Sequence, residues 1–473
     1  STQIRFIRNN GGNDLVINND IISAGDGIKT ESGFLRFADS WTSANIVFNG
    51  DTDVKLISES GTISGIGTGE KGNITFNGDS KFNFHSEKGR IVGIENFNNN
   101  GGKITFNGNL SLEMSNSASS TQSWHQGILA YQSTTEFNGN TNINVINNSI
   151  MPNTRVVDVQ CDPGNAYNTI VNFNGEETTL SVESVDNARI VYASGVPGYV
   201  NFNGTNINLT GEAESYIDAM RVQYGANVTS VAGSTVNIDI ESANYYANGI
   251  NLGEYAGYNG NAVDLKGNLN ITASGKLYAM GINVLTEDDV ENANDVKVYV
   301  GGDTVIDTSS SDGDALGAYA DGQYANVELA GNVDIKTNGN VNNFALLAQN
   351  GGTITVGSEG KTVSLVGDVV ADGENSVINI AGDSVFNEND TMFTSTNNGI
   401  INLAGGNMNG VLNISKDSTV NLNGATFTTN EIASDITGGG KLVLKDSGVL
   451  STTADQIFTN GESEKVTAKL MVF

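Results

Sequence analysis

Short runs in which apolar and polar residues alternate recur along this chain. Thr52-Asp53-Val54-Lys55-Leu56, Lys81-Phe82-Asn83-Phe84, Leu110-Ser111-Leu112-Glu113-Met114, Asn142-Ile143-Asn144-Val145, Asn206-Ile207-Asn208-Leu209 and Val236-Asn237-Ile238-Asp239-Ile240 all show it. A period of two turns one side of a strand to a core and the other to solvent. Ahead of these runs stands a β-favouring segment that ends, in its clearest form, in Phe-Asn-Gly, at 48–50, 76–78, 106–108, 137–139, 173–175 and 202–204. A third run begins near a glycine or small residue, as in Gly61-Thr62-Ile63-Ser64-Gly65-Ile66, Arg90-Ile91-Val92-Gly93-Ile94 and Gly127-Ile128-Leu129-Ala130-Tyr131. No long segment carries a 3.6-residue pattern.

The motif glycines at 50, 78, 108, 139, 175 and 204 are 28, 30, 31, 36 and 29 residues apart. A repeat of that size marks stacked coils. The motif then wears down to Val231-Ala232-Gly233, Leu265-Lys266-Gly267, Leu329-Ala330-Gly331, Ile380-Ala381-Gly382 and Leu422-Asn423-Gly424. Three strands per coil, all parallel, predict an all-β fold: a right-handed, three-sided parallel β-helix of about fourteen coils with almost no helix. The phenylalanines would form a ladder in the core. The Asn-Gly pair would supply a positive-φ corner. With coils about 4.8 Å apart, Asn49, Asn77, Asn107, Asn138, Asn174 and Asn203 would join in an amide ladder along that corner.

The whole of 1–473 reads as one solenoid, because such a fold grows by adding coils. A middle, 116–324, is decorated by loops and rich in tyrosine, with insertions expected at 116–126, 147–168, 253–261 and 286–295. The third run fades past about residue 356, and 391–473 is a short-coil end, expected to nucleate folding.

Composition narrows the function. Net charge is −30, which excludes nucleic acid as a natural partner and opposes an anionic membrane surface. One cysteine, Cys161, forbids an intrachain disulfide. No apolar run is long enough to cross a bilayer, so no membrane insertion by this segment is expected, and both ends read as boundaries of something larger. His85 and His125 are the only histidines; His85 falls at an outward position of an alternating run and His125 in a Ser/Gln-rich loop. Neither has a serine-nucleophile turn beside it, so no catalytic residue is assigned. Glu287-Asp288-Asp289-Val290-Glu291 and Asp312-Gly313-Asp314 offer the oxygen donors calcium takes, but match no calcium-binding repeat; a solvated acidic loop is the plainer reading, and no metal or other cofactor is assigned. Large, rigid aromatic side chains suit binding. Trp124, Tyr131, Tyr245, Tyr246, Tyr255 and Tyr258 flank or occupy two of the insertions and are the candidate contact residues, while Tyr319 reads as a core substitute for Phe.

These Phe-Asn-Gly coils, the Asn/Thr/Gly-rich acidic composition and the lack of cysteine resemble the passenger region of a monomeric (type V) autotransporter of a Gram-negative bacterium, across nearly the whole chain. The resemblance implies an extracellular passenger at the bacterial surface, anchored through an outer-membrane β-barrel absent from these residues. It implies an adhesin whose partner is a host or bacterial surface protein or glycan. A second expectation is homotypic association through flat Asn/Thr faces, causing aggregation. A third is a polysaccharide-active enzyme.

Overall fold

The computed structural model describes residues 3–452 apart from 24, 98–100, 118–123, 151–152, 163, 165, 254–259, 287–295, 388–390, 416 and 433–439. Among the described residues there is no helix. The strands fall into three parallel sheets of 17, 16 and 14 strands, a parallel β-helix. Sheet B takes the segments that end in the Asn-Gly corner, sheet C the alternating runs after it, and sheet A the third run. The 16 strands of sheet B exceed the fourteen coils counted from the motif. The extra two are Leu15–Ile17 and Lys441–Lys445, which lead into Asn18-Asn19 and Asp446-Ser447 where the others meet glycine or a close relative of the motif.

The chain divides into two compact units, residues 1–247 and 248–473. In the first, Phe48, Phe76, Phe106, Phe137, Phe173 and Phe202 pair in strict register along sheet B. Their rings stack at centroid distances of 4.6, 4.7, 5.3, 5.0 and 5.3 Å. Each is at most 1% exposed, so each contributes the full burial of a large side chain, about 1.5–3 kcal/mol. Sheet C closes the core with Phe82, Phe84, Leu112, Ile143 and Leu180. In the second unit the last residue of the sheet B strand is Leu265, Val300 or Leu329 in place of phenylalanine, with Val263, Val298 and Val327 two residues before, all buried.

The corner between sheets B and C is built as a ladder, but not by the expected backbone. Gly50, Gly78, Gly108, Gly139, Gly175 and Gly204 are absent from the residues of positive φ. What demands glycine is proximity. A Cβ on Gly108 would lie 2.4 Å from the carbonyl oxygen of Gly78, and one on Gly204 would lie 2.0 Å from that of Gly175. The coils pack glycine upon glycine. Positive φ enters only at later corners, such as Gly357, Gly405 and Gly424.

Three further expectations change. The presumed insertion 147–168 contains Thr154–Gln160, a regular sheet A strand paired with His125–Tyr131 and Ala188–Ser194; Val156, Val157 and Val159 are fully buried and drive it inward. His125 is the first residue of a sheet A strand and 2% exposed, not part of a loop. In the short coils the third run persists, as Asp368–Asp372 and Met392–Thr396. The run that ends is sheet C, after Ser384–Asn387. Thereafter one strand, Asn407–Ile414, carries the chain from the corner into sheet A. Of the proposed folding-nucleating end, residues 453–473 lie outside the described set.

Candidate binding face

The seven arginines of the chain all belong to sheet A of the first unit. Arg5, Arg8, Arg36, Arg155, Arg189 and Arg221 are within its strands, and Arg90 directly precedes one. The six lysines of the same unit (29, 55, 71, 81, 88 and 103) are in none of them. The strand shape places these guanidiniums. Each strand bends in the middle, so that two consecutive residues point inward: Phe37 and Ala38, Val156 and Val157, Ile190 and Val191, Ala219 and Met220, all at most 2% exposed. In an unbent strand residues three apart face opposite ways. The bend brings them to one face, and Arg36 meets Asp39, Arg155 meets Asp158, and Asp218 meets Arg221.

Three aspartates of this face, Asp39, Asp158 and Asp218, are fully buried. Asp39 accepts from Arg36 Nη1 at 2.8 Å and from Trp41 Nε1 at 2.6 Å, and its other oxygen lies 3.3 and 3.5 Å from the Nε atoms of Arg5 and Arg8. Arg36 also bonds Glu95, which accepts from Ser64 Oγ at 2.6 Å. Asp158 accepts from Arg155 Nη1 at 2.8 Å and from the Gln126 amide. Asp218 lies 3.6 Å from both Arg189 and Arg221.

Rings and guanidiniums alternate up the face. Arg155 is 5.1 Å from the ring centroid of Trp124 and 3.9 Å from that of Tyr192; Arg189 is 5.3 Å from Tyr192 and 5.7 Å from Tyr216. Tyr216 stacks on Tyr246 at 5.0 Å, and Tyr245 meets Tyr246 edge-on at 5.9 Å. Each cation–π contact contributes about 0.5–2 kcal/mol, more as water is excluded. Hydroxyls are held too: Tyr192 accepts from Gln223 at 2.6 Å and Tyr216 from Arg189 at 3.2 Å. Burial, with Asp218 and Tyr216 nearby, raises the Tyr246 phenol pKa, so it stays protonated.

The sequence candidates divide accordingly. Trp124, Tyr131, Tyr245 and Tyr246 are on this one face; Tyr131 stacks on Phe97 at 4.9 Å and donates to Asp162. Tyr255 and Tyr258 lie outside the described residues, as does Glu287–Glu291. Tyr319, in the second unit, is not a core residue: it is half-exposed, its hydroxyl 2.8 Å from Asp321 Oδ2 and 2.9 Å from Gln349 Oε1. In the first unit the described aromatics more than a third exposed are Phe6, Phe97, Trp124, Tyr167 and Tyr245. Phe6 aligns with the inward Phe37 of the next coil; the other four line sheet A or the segment leaving it. The sequence reading missed the arginines and Asp39, Asp158, Tyr192, Tyr216 and Asp218. The available signal was the repeated spacing Arg36…Asp39, Arg155…Asp158, Arg189…Tyr192, Asp218…Arg221.

The asparagine ladder occupies a different corner. Each amide donates to the asparagine one coil before: Asn49 to Asn18, Asn77 to Asn49, Asn107 to Asn77, Asn138 to Asn107 and Asn203 to Asn174 at 2.7 Å, and Asn174 to Asn138 at 2.8 Å. Two residues on, a second ladder runs through Asp20, Asp51, Asp79, Asn109 and Asn140, each oxygen accepting a backbone N–H of the next coil at 2.8–3.0 Å. Side chains committed to their neighbours in this way are structural. Cys161 is buried, and burial raises its thiol pKa. His85 bridges Ser115 and Glu87 at a half-exposed position. Among the described residues no three metal-ligating side chains gather. No helix of the described chain is long and apolar enough to cross a membrane.

Compared with protein-family models, curated proteins and solved structures, the chain matches none.

Proposed function

We propose that this chain is an extracellular adhesin, a bacterial surface passenger that holds a host or partner-cell ligand against the sheet A face of its first unit. One observation carries the reading: in a chain of net charge −30, every arginine and nearly all strongly exposed aromatics of that unit share one lateral face. Arginine, tyrosine and tryptophan are the residues that dominate binding hot spots, because they bring large contact area and directional hydrogen bonds at low entropic cost. Their ion pairs fix the face before any ligand arrives, which reduces the cost of ordering it on binding.

The test is adhesion of the purified chain to cultured epithelial cells and to bacterial cells. Trp124→Ala combined with Tyr245→Ala should weaken binding about tenfold or more, the effect of losing about 1.4 kcal/mol at a contact centre. Tyr199→Ala, on sheet B, should leave it unchanged. Equal binding by both variants would remove this face from consideration. The competing reading is self-association through the amide rows of sheet B, such as Asn402 bonded to Asn379 and Asn421 bonded to Asn402 at 2.8 and 2.7 Å. Sedimentation velocity over a concentration series should give a monomer; a reversible dimer would favour the second reading.

A further inference from the structure

Six of the arginines on sheet A of the first unit are in ion-pair contact with an aspartate: Arg5, Arg8 and Arg36 with Asp39, Arg155 with Asp158, and Arg189 and Arg221 with Asp218. Arg90 is the exception. It is half-buried. Among the described residues its guanidinium makes one hydrogen bond, from Nη2 to Gln126 Oε1 at 2.7 Å, and no ion pair. The undescribed residues of this unit supply no counter-charge, since none of them is Asp or Glu.

The guanidinium is held where it is. Gln126 Nε2 donates in turn to Asp158, which fixes the amide and with it the oxygen that Arg90 uses. Asp158 does not neutralise Arg90, because it already serves Arg155 and accepts from Gln160 at 3.0 Å. Arg90 stands one coil before Trp124, since Ile91 pairs with His125. Arg155 lies against the Trp124 ring, and the indole is still more than a third exposed. The strands beneath are sunk towards the core. A Cβ on Gly93 would lie 2.6 Å from Leu112 Cδ2, and one on Gly65 would lie 2.1 Å from Phe84 Cε2, so the middle of sheet A presses on sheet C. Gln126 and Leu129 point away from the core and are nonetheless almost fully buried. The outer side of the sheet is therefore a trough, with Arg90 and Trp124 along one edge.

We propose that this edge of the trough binds the carboxylate of an acidic sugar residue in an otherwise neutral glycan. That ligand class deepens the adhesin reading of this face and rests on it. A half-buried guanidinium without a counter-charge calls for an anion, and the planar carboxylate matches its fork in strong, charge-assisted hydrogen bonds. One cation balances one negative charge. A phosphate dianion or a polyanion would bring more of it to a chain of net charge −30. A peptide laid in the trough would have to desolvate its own backbone amides, and the strands beneath, paired on both edges, have none to offer in return. A sugar brings hydroxyls in place of amides, and a C–H face for the Trp124 ring.

Ligand-observed NMR titration of the full chain tests it. The probes are the methyl glycosides of glucuronic acid and of N-acetylneuraminic acid, the neutral methyl ester of each, and N-acetyl-aspartyl amide as a peptide carboxylate. At least one acidic sugar should bind, and about tenfold more tightly than its ester. Arg90→Gln should weaken that binding about tenfold, whereas Arg8→Gln, an equal loss of charge on the same sheet, should leave it unchanged. Circular dichroism checks that both variants fold, and the comparison of acid with ester needs no variant. Binding of neither sugar, equal binding of acid and ester, equal weakening by both substitutions, or tighter binding of the aspartyl amide overturns the proposal. Cell adhesion separates this site from the reading it rests on. Adhesion lost in the Trp124/Tyr245 double variant but complete in Arg90→Gln keeps the adhesive face and removes the acidic sugar. Arg90-dependent sugar binding by a chain that adheres to neither cell type keeps the sugar site and removes the adhesin.

Discussion

Gly108 packs its α-carbon against the Gly78 carbonyl, and the obstruction to any side chain there is backbone. Gly108→Ala should therefore cost about 3 kcal/mol or more, the scale of severe overpacking, measured as loss of unfolding free energy in urea. A change of only a few tenths would mean that the coils separate easily at this corner. His125 makes a second prediction at this scale. Asn116 Nδ2 donates to its Nε2 at 2.8 Å, which fixes the neutral ring. Burial, assisted by the charge of Arg90, pushes its pKa down to about 4. The unfolded chain takes up that proton near 6.5. Between the two values the unfolded state holds one more proton, so stability falls as pH drops from about 6.5 to 4, by about 3 kcal/mol in all, and nothing from this group changes above 6.5. His125→Gln should lose correspondingly less stability between pH 7 and 4.5. An NMR titration in which the His125 ring protonates near 6.5 would refute the assignment. The phenylalanine and asparagine ladders could be read from sequence because each rests on one residue repeated at a fixed offset. The reason for the glycines could not, since close approach and positive φ leave the same letter.

A sheet A strand is a bent element, and the bend converts a spacing of three into a pair on one face. Asp158→Ala should leave Arg155, 6% exposed, without its counter-charge and cost about 3–5 kcal/mol, whereas Arg155→Met with Asp158→Leu together should cost much less. Thermal unfolding of the single and double variants gives the coupling; additive losses would show that the pair is not a unit. Periodicity found these strands but not their outer faces, because period-two reasoning sends residues three apart to opposite sides. The same rule misplaced Thr154–Gln160 in a loop. Its buried Val156-Val157 pair breaks strict alternation, and the sequence shows the break without showing the bend that explains it.

Across the whole molecule, charge is sorted rather than mixed. Carboxylates are widespread while guanidinium is confined to one sheet of one unit, which composition alone, reporting a net −30, conceals. The parallel β-helix was legible because its period exceeds any local irregularity. Its first sheet B strand, Leu15–Ile17, was not, since the Asn18-Asn19 that follows carries no motif glycine. The three corners of a coil also differ in tolerance. From Phe48 to Thr52, Phe76 to Ser80, Phe106 to Leu110 and Phe137 to Thr141, the laddered corner spends three residues each time. The other two corners vary freely in length, between Asn147 and Thr154 or Gln160 and Thr169 for instance. A lineage carrying this chain can therefore lengthen, swap or erase segments at two edges of these coils while the third, constant from Phe48 to Asn206, keeps them in step. New specificities can be grafted there without folding having to be solved again.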